Sequence, residues 1–286
     1  MNKSESSKIS SPNIDKETVE SFGKEWSRYD QSKLSDEESS ELFDKYFAIM
    51  PVKDLPPNST GFDMGCGSGR WAKHMAPYVG KLNCIDASSH ALQVARINLS
   101  CCENVVFHHG TVDQVDIQEE SQDFGYSLGV LHHIPDTLLA MKSCVKLLKP
   151  DAPFLVYLYY RFDNRPSWFR MLWKVSDVLR GLISRCPEWL KHTITDFIAV
   201  TVYWPLARTA WLLGRLGFNC ENFPLAFYSN QSFYTMRTDS RDRFGTPLEQ
   251  RFTRVEIKTM MEESGLHDIH FSESEPYWCV VGRKKI

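Results

Sequence analysis

No Cys-X-X-Cys pair occurs in the 286 residues, although the chain contains eight cysteines. None of the eight belongs to a short Cys/His cluster with zinc spacing, so neither a structural zinc site nor a dithiol redox motif is expected. Several sit in apolar runs, such as Asn83-Cys84-Ile85 and Trp278-Cys279-Val280. There a reduced thiol behaves as a small hydrophobe. An excess of positive charge is also missing: 33 Lys+Arg against 36 Asp+Glu give a formal net charge of −3. A general nucleic-acid binder is therefore disfavoured, since nothing gathers a phosphate backbone. The opening stretch, MNKSESSKISSPN, lacks the apolar region of a secretory signal. Together these absences predict a reducing, cytoplasmic setting, with residues 1–20 as a Ser- and charge-rich disordered tail.

One hydrophobic run needs a membrane test. Phe197 to Phe218 reads FIAVTVYWPLARTAWLLGRLGF, long enough to span a bilayer. Arg208 stands mid-segment, Arg215 follows and Pro205 interrupts it; a central Arg costs roughly 2.5–3.5 kcal/mol even on the lenient insertion scale. No integral span is expected. A helix lying on another protein layer, or on a membrane surface, stays open.

What remains is ordinary globular composition, with 42% hydrophobic and 24% charged residues. The length suits roughly two domains, or one α/β domain with a large insertion. From Thr60 to Tyr160, short apolar runs alternate with helical periodicity, which signals βαβ units and a parallel sheet. Strands are expected at 61–64, 81–86, 104–107, 123–131 and 154–160. Ser88 and Ser89 cap a helix after the second strand, and Thr137 to Leu148 forms another. After residue 251 the pattern resumes. Thr253-Arg-Val-Glu256 is a capping box, and two runs at 268–271 and 277–281 read as a closing antiparallel hairpin.

Between these parts, residues 161–251 hold five of the eight tryptophans: Trp168, Trp173, Trp189, Trp204 and Trp211. Most of these aromatics are expected to pack helix against helix. The insertion leaves the carboxyl end of the fifth strand, where open parallel sheets bind ligands, so it should roof a pocket. Arg237, Arg241 and Arg243 near its end are candidates for pairing with an anionic acceptor group. Tyr157, Tyr159 and Tyr160 enter the same space. Strand alternation predicts Tyr157 and Tyr159 on one face and Tyr160 on the other.

The chemistry begins at Asp63-Met-Gly65-Cys66-Gly67-Ser-Gly69, a glycine turn after a strand that opens a helix and lets a ligand approach backbone N–H groups. The third glycine of the dinucleotide fingerprint G-x-G-x-x-G is absent, because Arg70 stands in its place. Asp86 ends the second strand, where a carboxylate can accept hydrogen bonds from both ribose hydroxyls.

Four motifs in order, FDMGCGSGRW, CIDAS, HHGTVDQV and DFGYSLGVLHHIPD followed by LLKPDAPFLVY, resemble the class I S-adenosylmethionine-dependent methyltransferases. GTPLEQRFT and PYWCVVGRKK are similar to a small-molecule, type 11-like bacterial branch. The resemblance implies a Rossmann-like seven-stranded sheet, mostly parallel with an antiparallel C-terminal hairpin, and a mainly helical insertion after strand five. Its parts would be a lead-in and cofactor lid at 21–55, the cofactor-binding core at 56–160, an acceptor-binding lid at 161–251 and a closing helix and hairpin at 252–286.

Carried over position by position, Gly65, Cys66, Gly67 and Gly69 pass under the methionine part of S-adenosylmethionine, and Asp63 fixes that loop and the amino group. Asp86 holds the ribose, with Ala87 and Ser88 beside the adenosine. Thr111 and Val112 contact the adenine, with Asp113 in reserve where the family often has an Asp at position 111. Leu128 lies near the sulfonium. Trp26 and Tyr29 form an aromatic lead-in that closes over the cofactor, or else anchor the first helix. His132 and His133, beside the methyl donor, are the catalytic candidates, able to take a proton from a hydroxyl acceptor.

The leading expectation is an enzyme that methylates a small molecule without metal or nucleic acid. A lipid-like or membrane-held acceptor, served by a surface-associated protein, is the alternative within that class. Outside it stands a cofactor-binding module without turnover. Nucleic-acid methylation is disfavoured, because Leu-Gly-Val-Leu-His-His replaces a [DN]-P-P-[YFW] motif after strand four.

Overall fold

The computed structural model describes residues 13–50 and 52–286. Its centre is a seven-stranded sheet: β1 (Thr60–Met64), β2 (Lys81–Asp86), β3 (Val105–His109), β4 (Phe124–Leu128), β5 (Pro153–Tyr157), β6 (Leu266–Phe271) and β7 (Cys279–Lys284). The spatial order is β3-β2-β1-β4-β5-β7-β6. The first five strands run parallel, β7 pairs antiparallel with β5, and β6 pairs antiparallel with β7. The expected Rossmann-like sheet and closing hairpin are both present.

Alternation along the strands builds two cores. Phe124 and Tyr126 of β4 and Leu155 of β5 face one side, where α2 (Asp36–Phe47), α3 (Arg70–Met75) and α4 (Ser89–Asn98) supply Phe43, Trp71, Met75 and Leu92. Phe62 of β1 with Phe154 and Val156 of β5 face the other, against Met141 of α5 (Thr137–Leu147) and Ile257 and Met261 of α10 (Arg254–Glu263). Helix α10 opens with the expected capping box of Thr253 and Glu256.

Helix α1 (Lys16–Arg28) begins inside the stretch expected to be a disordered tail, with Asp15 as its N-cap. The Asn13 side chain donates to the Asp136 carbonyl and its backbone N–H to Asp113, so this part of the N-terminus is tied to the core. The rest of that expectation, residues 1–12, lies outside the described residues.

The insertion contains α6 (Ser167–Ile183), α7 (Glu188–Ile198), a π turn (Ala199–Tyr203), α8 (Trp204–Arg215) and α9 (Phe233–Gly245). Its two ends are stitched together, since Tyr160 bridges Phe252 and Arg161 N–H donates to the Phe252 carbonyl. The core it builds for itself is small: Tyr203, Ala207, Met236 and Phe244. No helix among the described residues is long and apolar enough to cross a membrane.

Two strands are shorter than expected. Strand β4 stops at Leu128, where Gly129 turns the chain at φ 79°. Strand β5 stops at Tyr157, opposite the last residue of β4 and the first of β7, and beyond that point neither neighbour offers ladder partners.

Candidate functional site

The carboxyl ends of β1, β2, β4 and β5 open into one cavity of about 620 Å³, floored by the glycine turn and roofed by α1 and the insertion. That volume is in the range of small-molecule sites. Gly65 and Cys66 N–H groups both donate to the Ile85 carbonyl, which fixes the turn to β2. Gly67 lies at φ 54°, in the left-handed region, and a Cβ there would stand 3.0 Å from the Trp26 indole. The left-handed backbone and the close approach favour glycine here, and they seat Trp26 of α1 directly on the turn.

Asp86 accepts from Gly67 N–H at 2.9 Å and Ser88 N–H at 2.8 Å, one bond per carboxylate oxygen. Burial raises its carboxyl, and the two backbone donors oppose that rise. Each oxygen keeps a lone pair for a further donor. Ala87, Ser88, Thr111, Val112 and Leu128 line the same end of the cavity, as do Cys66 and Trp26. A nucleoside with a charged side arm fits this set: a ribose acceptor at Asp86, open backbone at the glycine turn and an apolar slot at Val112. Arg70, missed in the sequence, also lines the cavity with its guanidinium over the Trp71 ring. It can hold a carboxylate.

Four expected cofactor residues stand outside the cavity lining. Gly69 is the left-handed residue before α3, packed near Leu99. Asp63 lies beneath the turn, 1% exposed, with neither carboxyl oxygen hydrogen-bonded, so the turn is held by Ile85 and Asp86 instead. Burial pushes Asp63 up to about 8. The Asp113 carboxylate accepts from the Thr111 hydroxyl on one oxygen and from the Asn13 backbone N–H on the other, outside the cavity wall. Tyr29 is buried and donates to Asp196, so it anchors α1 to the insertion while Trp26 does the covering.

The two histidines part company. His132 is fully enclosed, with its ring 3.9 Å from that of Tyr159 and neither nitrogen hydrogen-bonded. Burial, and then His133 and Arg251, hold it well below the usual histidine range, so it is neutral. His133 lines the cavity. Its Nδ1 is 2.6 Å from the Leu248 carbonyl, which can only accept, so Nδ1 carries the proton. The basic Nε2 is left without a hydrogen bond, 3.9 Å from Asp242.

Around His133 stands a polar wall that periodicity could not reveal. Tyr159 donates to Asp242 of α9, and Tyr228 donates to Asp239 at 2.8 Å. Burial pushes Asp239 up to about 6, against Arg70 and the Tyr228 hydroxyl. Glu25 of α1 is enclosed as well; burial, and then Asp242, raise it well above the carboxylate range. Glu249, which burial alone would raise, is held low by Arg251 and Arg243, at 2.7 and 2.6 Å. Glu249 and Arg251 belong to the GTPLEQRFT stretch, to which the sequence reading assigned no place in the site.

Tyr157, Tyr159 and Tyr160 all line the cavity, because the strand ends at Tyr157 and alternation no longer sorts them. The arginines expected to meet an anionic acceptor are otherwise engaged. Arg237 pairs with Asp196, Arg241 with Glu188 and Arg243 with Glu249. Among the described residues, no His/Cys/Asp/Glu cluster could hold a metal ion.

Residues 62–156 match the family model described as a methyltransferase domain. A protein of Alkalilimnicola ehrlichii named ubiquinone biosynthesis O-methyltransferase is 38% identical over 92 residues, 32% of this chain and 37% of that one. Its namesake in Hydrogenovibrio crunogenus is 26% identical over 172 residues, 59% of this chain and 68% of that one. The chain thus spans between about a third and two thirds of the length of these curated relatives. In fold, a SAM-dependent methyltransferase of Thermotoga maritima superposes with a TM-score of 0.54 at 14% identity, covering 94% of this chain and 100% of that one.

Proposed function

We propose that this chain, whose residues 62–156 match a methyltransferase domain, is a class I S-adenosylmethionine-dependent enzyme that methylates a hydroxyl of a small acceptor with an apolar body. The observation that carries this reading is His133. It stands in the same cavity as the glycine turn and Asp86, with Nδ1 fixed on a carbonyl and Nε2 unpartnered.

When bound, S-adenosylmethionine supplies an activated methyl group on a sulfonium, with a good leaving group behind it. Asp86 would hold the ribose, Arg70 the carboxylate end, and Trp26 would cover the turn from solvent. His133 Nε2 accepts the proton of the acceptor hydroxyl. Asp242, 3.9 Å away, balances the charge that then forms on the ring. Tyr159 holds that carboxylate in place through its hydroxyl. Most of the remaining rate gain comes from alignment in a water-poor space, as in other in-line displacements. Phe169, Leu172, Trp173, Ile198 and Val202 give the acceptor side apolar walls, which supports an apolar body. The relatives named as O-methyltransferases support an oxygen acceptor.

The test is an acceptor screen: metabolite and lipid extracts incubated with isotope-labelled S-adenosylmethionine and read by mass detection of a methylated product. Transfer that is lost in His133→Ala supports the reading. A protein that binds the cofactor but labels nothing in any fraction would show a binding module without turnover.

A further inference from the structure

Helix α6 turns its apolar face outward. Trp168, Met171, Val175, Val178 and Leu182 recur at helical spacing and are each 50–68% exposed. The opposite face carries Phe169, Trp173 and Ser176 toward the cavity, and no residue of the helix is fully buried. The next helical stretch repeats the arrangement, with Trp189, Phe197, Val200 and Trp204 exposed along α7, the π turn and the start of α8. Four of the insertion's five tryptophans are thus exposed, where packing of helix on helix was expected. Single exposed hydrophobes need no explanation, but an apolar stripe shared by two helices marks a contact surface. Leu172, Leu179 and Val202 are both exposed and part of the cavity wall, so the two faces meet at its rim.

We propose that this face seats the insertion on the surface of an anionic lipid bilayer. Charge decides the occupant. Residues 167–218 carry seven Arg and Lys against three Asp and Glu, in a chain whose net charge is −3. All three acids are already paired: Asp177 with Arg180, Glu188 with Lys191, and Asp196 with Arg237. Arg170, Lys174 and Arg185 are exposed and have no acidic partner among the described residues. Arg215 stacks over Trp211, an arrangement suited to an interface of headgroups and acyl chains. A second copy across a twofold axis would set this positive face against itself. An anionic bilayer offers the complementary charge together with an apolar layer, and an amphipathic helix lies in that plane without crossing it. Docking stands on the exposed face alone. Entry of an apolar acceptor from the lipid into the cavity rests in addition on the function proposed above.

The test uses the full chain with vesicles of phosphatidylcholine mixed with phosphatidylglycerol, against phosphatidylcholine alone, in a flotation assay. Flotation with the mixed vesicles that weakens with added salt is expected. Val175→Asp with Val178→Asp should abolish it, and Arg170→Ala or Lys174→Ala should each lower partition about five-fold. Circular dichroism and S-adenosylhomocysteine affinity should be unchanged in all of them, since none of these side chains lines the cavity. Absence of flotation by the folded protein overturns the proposal. A dimer in sedimentation that the double Asp variant dissociates, without vesicle binding, overturns it in favour of a second copy. Flotation by a protein that binds no S-adenosylhomocysteine leaves docking standing and removes the proposed activity instead.

Discussion

His133 owes its candidacy to a bond made by its other nitrogen. With Nδ1–H donating to Leu248, the proton-accepting atom is Nε2, and no hydrogen bond occupies it. His133→Ala should lower the turnover rate by about 10²–10⁴-fold, the usual worth of a positioned base, while S-adenosylhomocysteine affinity holds. His132→Ala should instead lower the melting temperature, because that ring fills an enclosed space. Steady-state rates, calorimetry and thermal melts separate the two. The adjacent pair was visible in the sequence, but its division of labour was not, because it depends on a carbonyl 115 residues further on. Asp63 carries a second test. Its folded carboxyl ionises at about 8 against an ordinary value of 3.8, so the folded state keeps a proton that the unfolded chain has lost. That stability is present at low pH and disappears as pH rises through the folded value. Asp63→Asn should therefore gain melting temperature over wild type progressively between about pH 4 and about pH 8. Parallel melting curves across that range would show that this carboxyl does not control the slope.

Among the elements, the strand-turn-helix unit at 60–75 was the most legible, since its glycines and its strand are local signals. Strand ends were not. Whether β5 continues past Tyr157 depends on where β4 and β7 run out of ladder, which no short window contains. The aromatic lead-in was half legible: Trp26 does sit on the turn, whereas Tyr29 turns to Asp196 across the insertion. Helix α1 lies so close to α4 that a Cβ on Gly23 would stand 2.5 Å from Ser88 Oγ. Glycine to alanine in a helix interior ordinarily stabilises by about 0.5–1 kcal/mol. Gly23→Ala should do the opposite here. It should push α1 away, lower the melting temperature and weaken S-adenosylhomocysteine binding by lifting Trp26 from Gly67. A stabilised variant with full affinity would mean that α1 is free to shift.

At the scale of the molecule, the insertion is built into the site. Its α9 supplies Asp239 and Asp242 to the cavity, and its acids hold Tyr29 and Arg241 near α1. The insertion is mainly helical as expected, but its tryptophans were misjudged, because helical spacing describes an apolar stripe turned inward or outward alike. Only the assembled neighbours decide which. The central claim is that the glycine turn, Asp86 and the roof above them form one cofactor cavity. It is tested most directly by calorimetric titration of wild type and Asp86→Ala with S-adenosylhomocysteine. One site per chain is expected, weakened by about 1.5–3 kcal/mol in the variant, the usual worth of hydrogen bonds to a charged group. Equal affinity in the folded variant, or heat with NAD and none with S-adenosylhomocysteine, would contradict it.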